Sequence, residues 1–201
     1  MSDKFLVIGL TGQSGAGKST VAQVFSSQGV PWVDADKLAH LALKTEKCKE
    51  NLSAAFGKEI LDENGEVVRK ALAKAAFSSK ENTLLLNKCT HPVIKELALS
   101  EFARLEEAGE KAVLFDAPTL FESGLDSVCH FVISVIAKKD LRAGRIMARD
   151  NLTEQEAMQR LNAQHPDSFY TEKSRYVIEN NSTAEELESK ASSLFKEIFN
   201  G

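Results

Sequence analysis

Apolar residues fill positions 5–10 almost without interruption, a run short enough for a strand buried on both faces. A glycine-rich polar stretch follows at 12–19, after which Val21, Ala22, Val24 and Phe25 return at helical spacing. A second short strand is predicted at 30–33, with Trp32 read as core, and ahead of a helical run at 37–44. From 44 to 105 the pattern is mostly helical. It is broken at Asp62, Glu63, Asn64 and Gly65, and a further helix is expected to start after His91 and Pro92. Strand-like runs return at 112–115, ending on Asp116, and at 131–137, with a short one at Val177 and Ile178. The last helix carries Leu187, Ala191, Leu194, Phe195 and Ile198 as its apolar stripe, behind an expected capping box of Ser182 and Glu185. Strands alternating with helices predict a parallel sheet whose ligands sit beyond its carboxyl edge.

The polar stretch after the first strand supplies the chemistry. Gly12, Gln13, Ser14, Gly15, Ala16, Gly17, Lys18 and Ser19 read G-x-x-x-x-G-K-S, with a strand before and a helix after. Glycines let successive backbone N–H groups converge on phosphate oxygens. The lysine reaches the outer phosphates, and the serine hydroxyl ligates Mg²⁺. The positive end of the following helix faces the same anion. The ligand is therefore a nucleoside triphosphate or a close relative of one.

Composition then narrows the field. The 201 residues, 43% of them hydrophobic, suffice for one α/β domain with modest insertions. The net charge of −4 argues against a nucleic-acid-coating surface, which needs a basic patch. The early apolar run is too short for a signal-peptide core or a membrane span, so a cytoplasmic protein that engages no membrane is expected. Cys48, Cys89 and Cys129 form no C-x-x-C pair, which fits a reducing compartment. Cys89 near His91, and Cys129 beside His130, lack zinc-site spacing and are read as buried or incidental.

Asp34 and Asp36 end the second strand and should land near the phosphate loop. Asp36 is read either as a helix N-cap or as a functional carboxylate, and the two roles are compatible. Asp116 closes an apolar strand in the manner of a carboxylate that helps hold hydrated Mg²⁺. Arg142, Arg145 and Arg149 recur at spacings of three and four and share one helix face, either a solvated surface or a clamp over a transferring phosphoryl group. Two GTPase lookalikes fail. Asp62 to Gly65 reads D-x-x-G and Asn87-Lys88 opens N-K-x-D, but position 90 is threonine and neither follows an apolar strand.

In this order the residues carry a family pattern. G-L-T-G-x-x-G-x-G-K-S-T begins at Gly9, D-A-D-x-x-A at Asp34, and G-x-x-I-L-x-x-x-G at Gly57, with Arg69 next. His91-Pro92-Val93-Ile94, then Pro118 to Glu122, Arg149-Asp150, Arg160 to Gln164 and Val177 to Asn180 follow. Over nearly its full length the chain resembles dephospho-CoA kinase. Departures stand at His40, Thr119 and Ser182, where the family usually has arginine, leucine and glycine, and across 165–175. The resemblance implies an α/β P-loop kinase: a central parallel sheet flanked by helices at about 1–36, 111–137 and 176–201, a helical substrate insert at about 60–105, and a helical lid at about 138–175. It implies transfer of a phosphoryl group from ATP to the ribose 3′-hydroxyl of dephospho-CoA, with ATP and Mg²⁺ required.

The roles implied are these. Thr11, Gly12, Ser14, Gly15, Ala16, Gly17, Lys18, Ser19 and Thr20 hold ATP, and Asn180 borders its adenine. Ser19 and Asp116 hold the metal. Asp34, Asp36, Arg69, His91, Pro118 and Leu120 bind the acceptor. Lys18, Asp36, Arg145 and Arg149 are catalytic. The sequence leaves the oligomeric state open, with a monomer compatible. A related small kinase with another acceptor, and a non-enzymatic ATP-responsive module, are the rival readings.

Overall fold

The computed structural model describes residues 4–200. The apolar run forms β1 (Leu6–Gly12), which passes directly into the glycine-rich loop, and α1 (Lys18–Ser27) follows. The chain continues through β2 (Trp32–Asp34), α2 (Ala35–Ala42), α3 (Glu46–Phe56), α4 (Arg69–Ala76) and the long α5 (Lys80–Glu107). Beyond these come β3 (Ala112–Asp116), β4 (Phe131–Ile136), α6 (Lys139–Asp150), α7 (Glu154–Asn162), α8 (Asp167–Thr171), β5 (Tyr176–Glu179) and α9 (Ala184–Asn200). Two compact units result, one up to Val33 and again from Leu105 on, the other from Asp34 to Arg104.

The first unit carries a five-stranded sheet in the order β2-β3-β1-β4-β5, parallel as the βα alternation requires. β1 is central, with Leu10 opposite Asp116 on one side and Gly12 opposite Val135 on the other. Strand order reverses around β1, and that switch point is where open α/β sheets bind ligands. Ile8, Leu10, Leu114, Ile133 and Val135 share one core with Val21 and Phe25 of α1 and with Leu187 and Ala191 of α9. Phe25 and Phe195 meet edge to face at 5.6 Å. Each large side chain buried here contributes about 1.5–3 kcal/mol, and Phe25→Ala would cost about 3–5 kcal/mol.

Several expectations are corrected. Trp32 is 39% exposed, because β2 lies at the sheet's edge. The α2 cap is Asp34 and not Asp36: its carboxylate accepts from the Asp36 and Lys37 amides at 2.9 and 3.3 Å. No helix boundary follows His91 and Pro92, since α5 runs through Pro92. Val93, Ala98 and Phe102 keep a buried stripe in register beyond Pro92, and burial offsets the one backbone hydrogen bond that proline cannot make. The last helix begins one residue later than expected, with the Thr183 hydroxyl accepting from the Glu186 amide. A full capping box occurs instead at Thr153 and Glu156, ahead of α7.

Candidate functional site

The phosphate loop is held by backbone geometry. Gly12 has φ 148°, and a Cβ there would lie 2.2 Å from the Val135 carbonyl oxygen on the neighbouring strand. Gly17, at φ 101°, would drive one into Asn180 and Leu187. Neither position admits another residue, which is the physical content of the two fixed glycines of the motif. Gly17 also begins α1, with no side-chain cap and no acidic residue in the first turn, so the helix presents its N–H groups and positive end to an anion. Ser19 is exposed and Thr20 half-buried on that turn. The Lys18 ammonium forms an ion pair with Asp116, whose carboxylate is almost fully buried at the end of β3.

The remaining sheet-side candidates are distributed around the loop. Thr11 is fully buried, and its hydroxyl donates to the Pro118 carbonyl at 3.2 Å, which ties the residues after β3 to the loop's entrance. Leu120 departs from the expected substrate contact. It is 0% exposed and packs beside Gly9, where a Cβ would stand 2.8 Å from its methyl, so its role is to fill the core under the loop. Asn180 donates from its side-chain amide to the Ala16 carbonyl at 2.8 Å. Arg145 of α6 reaches the same rim, donating to the carbonyl oxygens of Gly15, Asn180 and Ser182 at 3.1–3.4 Å. Arg149, one turn on, is exposed and forms a two-pronged pair with Asp150 at 2.7 and 2.8 Å. The helix that seemed uniform in sequence therefore places one arginine on the loop rim and another outside.

In the sequence Arg142 reads with Arg145 and Arg149 as a solvated face or a clamp, whereas here it is buried away from both roles; Gln164 stands only in the family pattern, and Gln13 only as an unspecified position of the loop motif. Gln13 is 2% exposed and donates to Asp167 at 2.7 Å, while the Gln164 carbonyl oxygen accepts from the Ser14 amide at 3.3 Å and from Arg142 at 2.7 Å. Arg142 is buried, and that desolvation lowers its pKa, with the charge of Asp167 opposing the shift.

In the helical unit, Asp36 stands exposed on the first turn of α2. Arg69 opens α4 and lines an apolar cavity of about 260 Å³ with His40, Leu72, Phe77, Thr90 and Ile94. Phe77 is 68% exposed, unusual for an aromatic with no outward polar handle. The signal in the sequence that could have found this cavity is the pair of apolar residues Leu72 and Phe77 that follows Arg69. His91 is half-buried, does not line the cavity, and has its pKa lowered by burial. The cysteines are free. Burial first, then the charge of Asp126, pushes Cys129 up to about 12, and burial with the neighbouring Cys89 takes Cys48 to about 11. Among the described residues no group of three or more His, Cys, Asp and Glu side chains gathers, and no helix is long and apolar enough to cross a membrane.

A family model for dephospho-CoA kinase matches residues 6–186. The dephospho-CoA kinase of Corynebacterium efficiens is 40% identical over 194 residues, covering 96% of this chain and 97% of its own. A crystal structure from Thermus thermophilus superposes with a TM-score of 0.80 at 34% identity, covering 97% of this chain and 98% of that one. The solved dephospho-CoA kinase of Campylobacter jejuni gives 0.64 at 26% identity, covering 98% and 99%.

Proposed function

The chain belongs to the dephospho-CoA kinase family, and from that premise we propose that it transfers the terminal phosphoryl group of ATP to the ribose 3′-hydroxyl of dephospho-CoA, giving CoA and ADP. The observation that carries the reading is the phosphate loop at the central strand: an uncapped, acid-free helix start flanked by Lys18 and the carboxylate of Asp116. Phosphoryl transfer asks a protein mainly for positioning and for neutralisation of spread negative charge. The loop amides and Lys18 supply the second, with Lys18 exchanging Asp116 for the outer phosphates of ATP.

Ser19 and Asp116 offer hard oxygen donors that suit Mg²⁺. Bound there, Mg²⁺ would neutralise charge on the phosphate oxygens. Asp36 accepts the proton of the acceptor hydroxyl. Because Asp34 does the capping, Asp36 is left without that structural duty. Arg149 exchanges Asp150 for charge on the transferring group, while Arg145 and Asn180 brace the loop rim beside the adenine. The cavity of the helical unit takes the acceptor: Phe77, Leu72 and Ile94 suit its aliphatic arm, and Arg69 its diphosphate. Three free cysteines suit a reducing cytoplasm.

The test is ADP production coupled to acceptor, with dephospho-CoA, AMP, shikimate and gluconate compared at equal concentration. Turnover confined to dephospho-CoA is expected. Equal turnover of AMP would mean that the helical unit reads only the nucleotide end, and an absence of multiple turnovers would return the chain to a binding module.

A further inference from the structure

The G-x-x-x-x-G-K-S pattern leaves positions 13 and 14 unspecified, so phosphate binding does not dictate what stands there. In this chain position 14 is joined to the segment between α7 and α8, and position 13 to Asp167, the first residue of α8. Gln13 is almost fully buried, and both ends of its side chain are engaged: Nε2 donates to Asp167 Oδ1 at 2.7 Å, and Oε1 accepts from the Ala137 amide at 3.3 Å. In the opposite direction, Gln164 Oε1 accepts from the Ser14 amide at 3.3 Å and from Arg142 Nη1 at 2.7 Å. Arg142 closes the ring, donating from Nε to the Ala137 carbonyl at 2.9 Å. One glutamine thus reaches out from the loop and another reaches in, with a buried guanidinium between them.

We propose that Gln13 and Gln164 form a crossed latch that fixes the α7–α8 connection against the phosphate loop and, through Arg142, sets the position of α6. They are positioning residues for phosphoryl transfer and touch no reacting atom. The geometry explains why Arg142 is buried where Arg145 and Arg149 of the same helix are not. It lies one turn before Arg145 on α6, so the bond from Gln164 fixes the helix that places Arg145 on the Gly15 carbonyl. Burying this arginine is tolerated because its Nε and Nη1 donate to the Ala137 carbonyl and to Gln164, and its loss of water makes those bonds stronger. No acceptor-binding residue of the helical unit takes part, so the latch acts on the transfer step and not on acceptor affinity.

The inference rests on the kinase reading for its kinetic readout, and amide exchange provides one that does not. Four full-length single variants, Gln164→Ala, Gln13→Ala, Asp167→Ala and Asp167→Asn, and one double variant suffice. In Gln164→Ala, kcat should fall about tenfold, the scale of a modest misplacement, while KM for dephospho-CoA stays within about twofold. Asp167→Ala should fall comparably, whereas Asp167→Asn, which keeps an oxygen for Gln13 Nε2, should stay near the wild-type rate. Combining Gln13→Ala with Asp167→Ala should cost no more than Gln13→Ala alone, because that substitution already removes the bond to Asp167. In the nucleotide-free protein the Ser14 amide should exchange with solvent about tenfold faster in Gln164→Ala than in the wild type. The latch is overturned by an unchanged Ser14 exchange rate, by Asp167→Asn failing as badly as Asp167→Ala, or by additive losses in the double variant. If wild-type protein binds ADP but does not turn over dephospho-CoA, the functional reading has failed, and the exchange result alone decides the latch. If Gln164→Ala does not fold, the two Asp167 variants carry the same decision.

Discussion

The phosphate loop and the helical unit solve recognition by opposite means. The loop is defined by backbone: two glycines with no room for a Cβ, a helix start with no cap, and polar side chains such as Gln13, Arg142 and Asn180 that are buried and bonded. The helical unit presents side chains: an open apolar cavity, an exposed Phe77, and Arg69 at a helix start. Backbone amides aimed at an anion are preorganised and recognise charge in any nucleotide. An apolar cavity recognises a shape, and so selects one acceptor among many. The two regions should therefore fail differently when altered. Damage to the loop should appear in kcat, and damage to the cavity in the acceptor's KM.

The largest effect should come from Lys18→Ala, which removes a charged donor from the phosphates. A fall in kcat of about 10²–10³-fold is expected by steady-state assay. The nucleotide-free protein should also melt at a lower temperature, because Asp116 is 7% exposed and loses the cation beside it. Normal turnover would make the loop irrelevant to catalysis.

Next in size is the pair Asp36 and Asp34. Asp36→Asn should lower kcat about 10²-fold with little change in Tm, the signature of a lost general base. Asp34→Ala should cost about 1 kcal/mol of stability through the lost cap, read by denaturant unfolding. If Asp34→Ala leaves stability intact while Asp36→Asn lowers it, the two roles have been assigned the wrong way round.

A smaller change should follow Phe77→Asp. It places a charge on the cavity rim, and KM for dephospho-CoA should rise about tenfold while KM for ATP holds. A rise in both would show that the cavity is not specific to the acceptor.

How far the sequence revealed each region follows from the same contrast. The loop was legible because glycine at φ 148° opposite a neighbouring carbonyl has no substitute, and a constraint of that kind writes itself into residue identity. The cavity itself was not legible, only a helical insert carrying Arg69, since helix faces accept many side chains. The latch was hidden for another reason: Ser14 and Gln164 meet across 150 positions, and neither residue is unusual where it stands. Asp34 and Asp36 were confused as caps because both lie at a strand-to-helix junction and boundaries shift by a residue or two. At Pro92 the local rule predicted a helix break, and the buried stripe of Val93, Ala98 and Phe102 overrode it.

The smallest expected effect concerns the outer face of α6. Asp150 has its pKa lowered first by hydrogen bonding from Arg149, with further contributions from the charges of Arg149 and Arg160. A carboxylate lowered in the folded state stabilises above its unfolded pKa, and that contribution disappears as pH falls through the folded value. The pair is solvent-exposed, so the effect is slight and screened by salt. Melting curves of wild type and Asp150→Asn should differ a little at pH 7 and converge in acid. A difference that grew on acidification would reverse the sign.

The terminal phosphoryl group of ATP, held at the loop, is expected to reach a single hydroxyl of the acceptor. Proton-coupled ³¹P NMR of the protein with ATP, Mg²⁺ and dephospho-CoA tests it most directly. A new phosphomonoester resonance that couples to the ribose H3′ proton should grow in step with ADP. ADP accompanied only by inorganic phosphate, or a monoester coupled to any other proton, would contradict the claim.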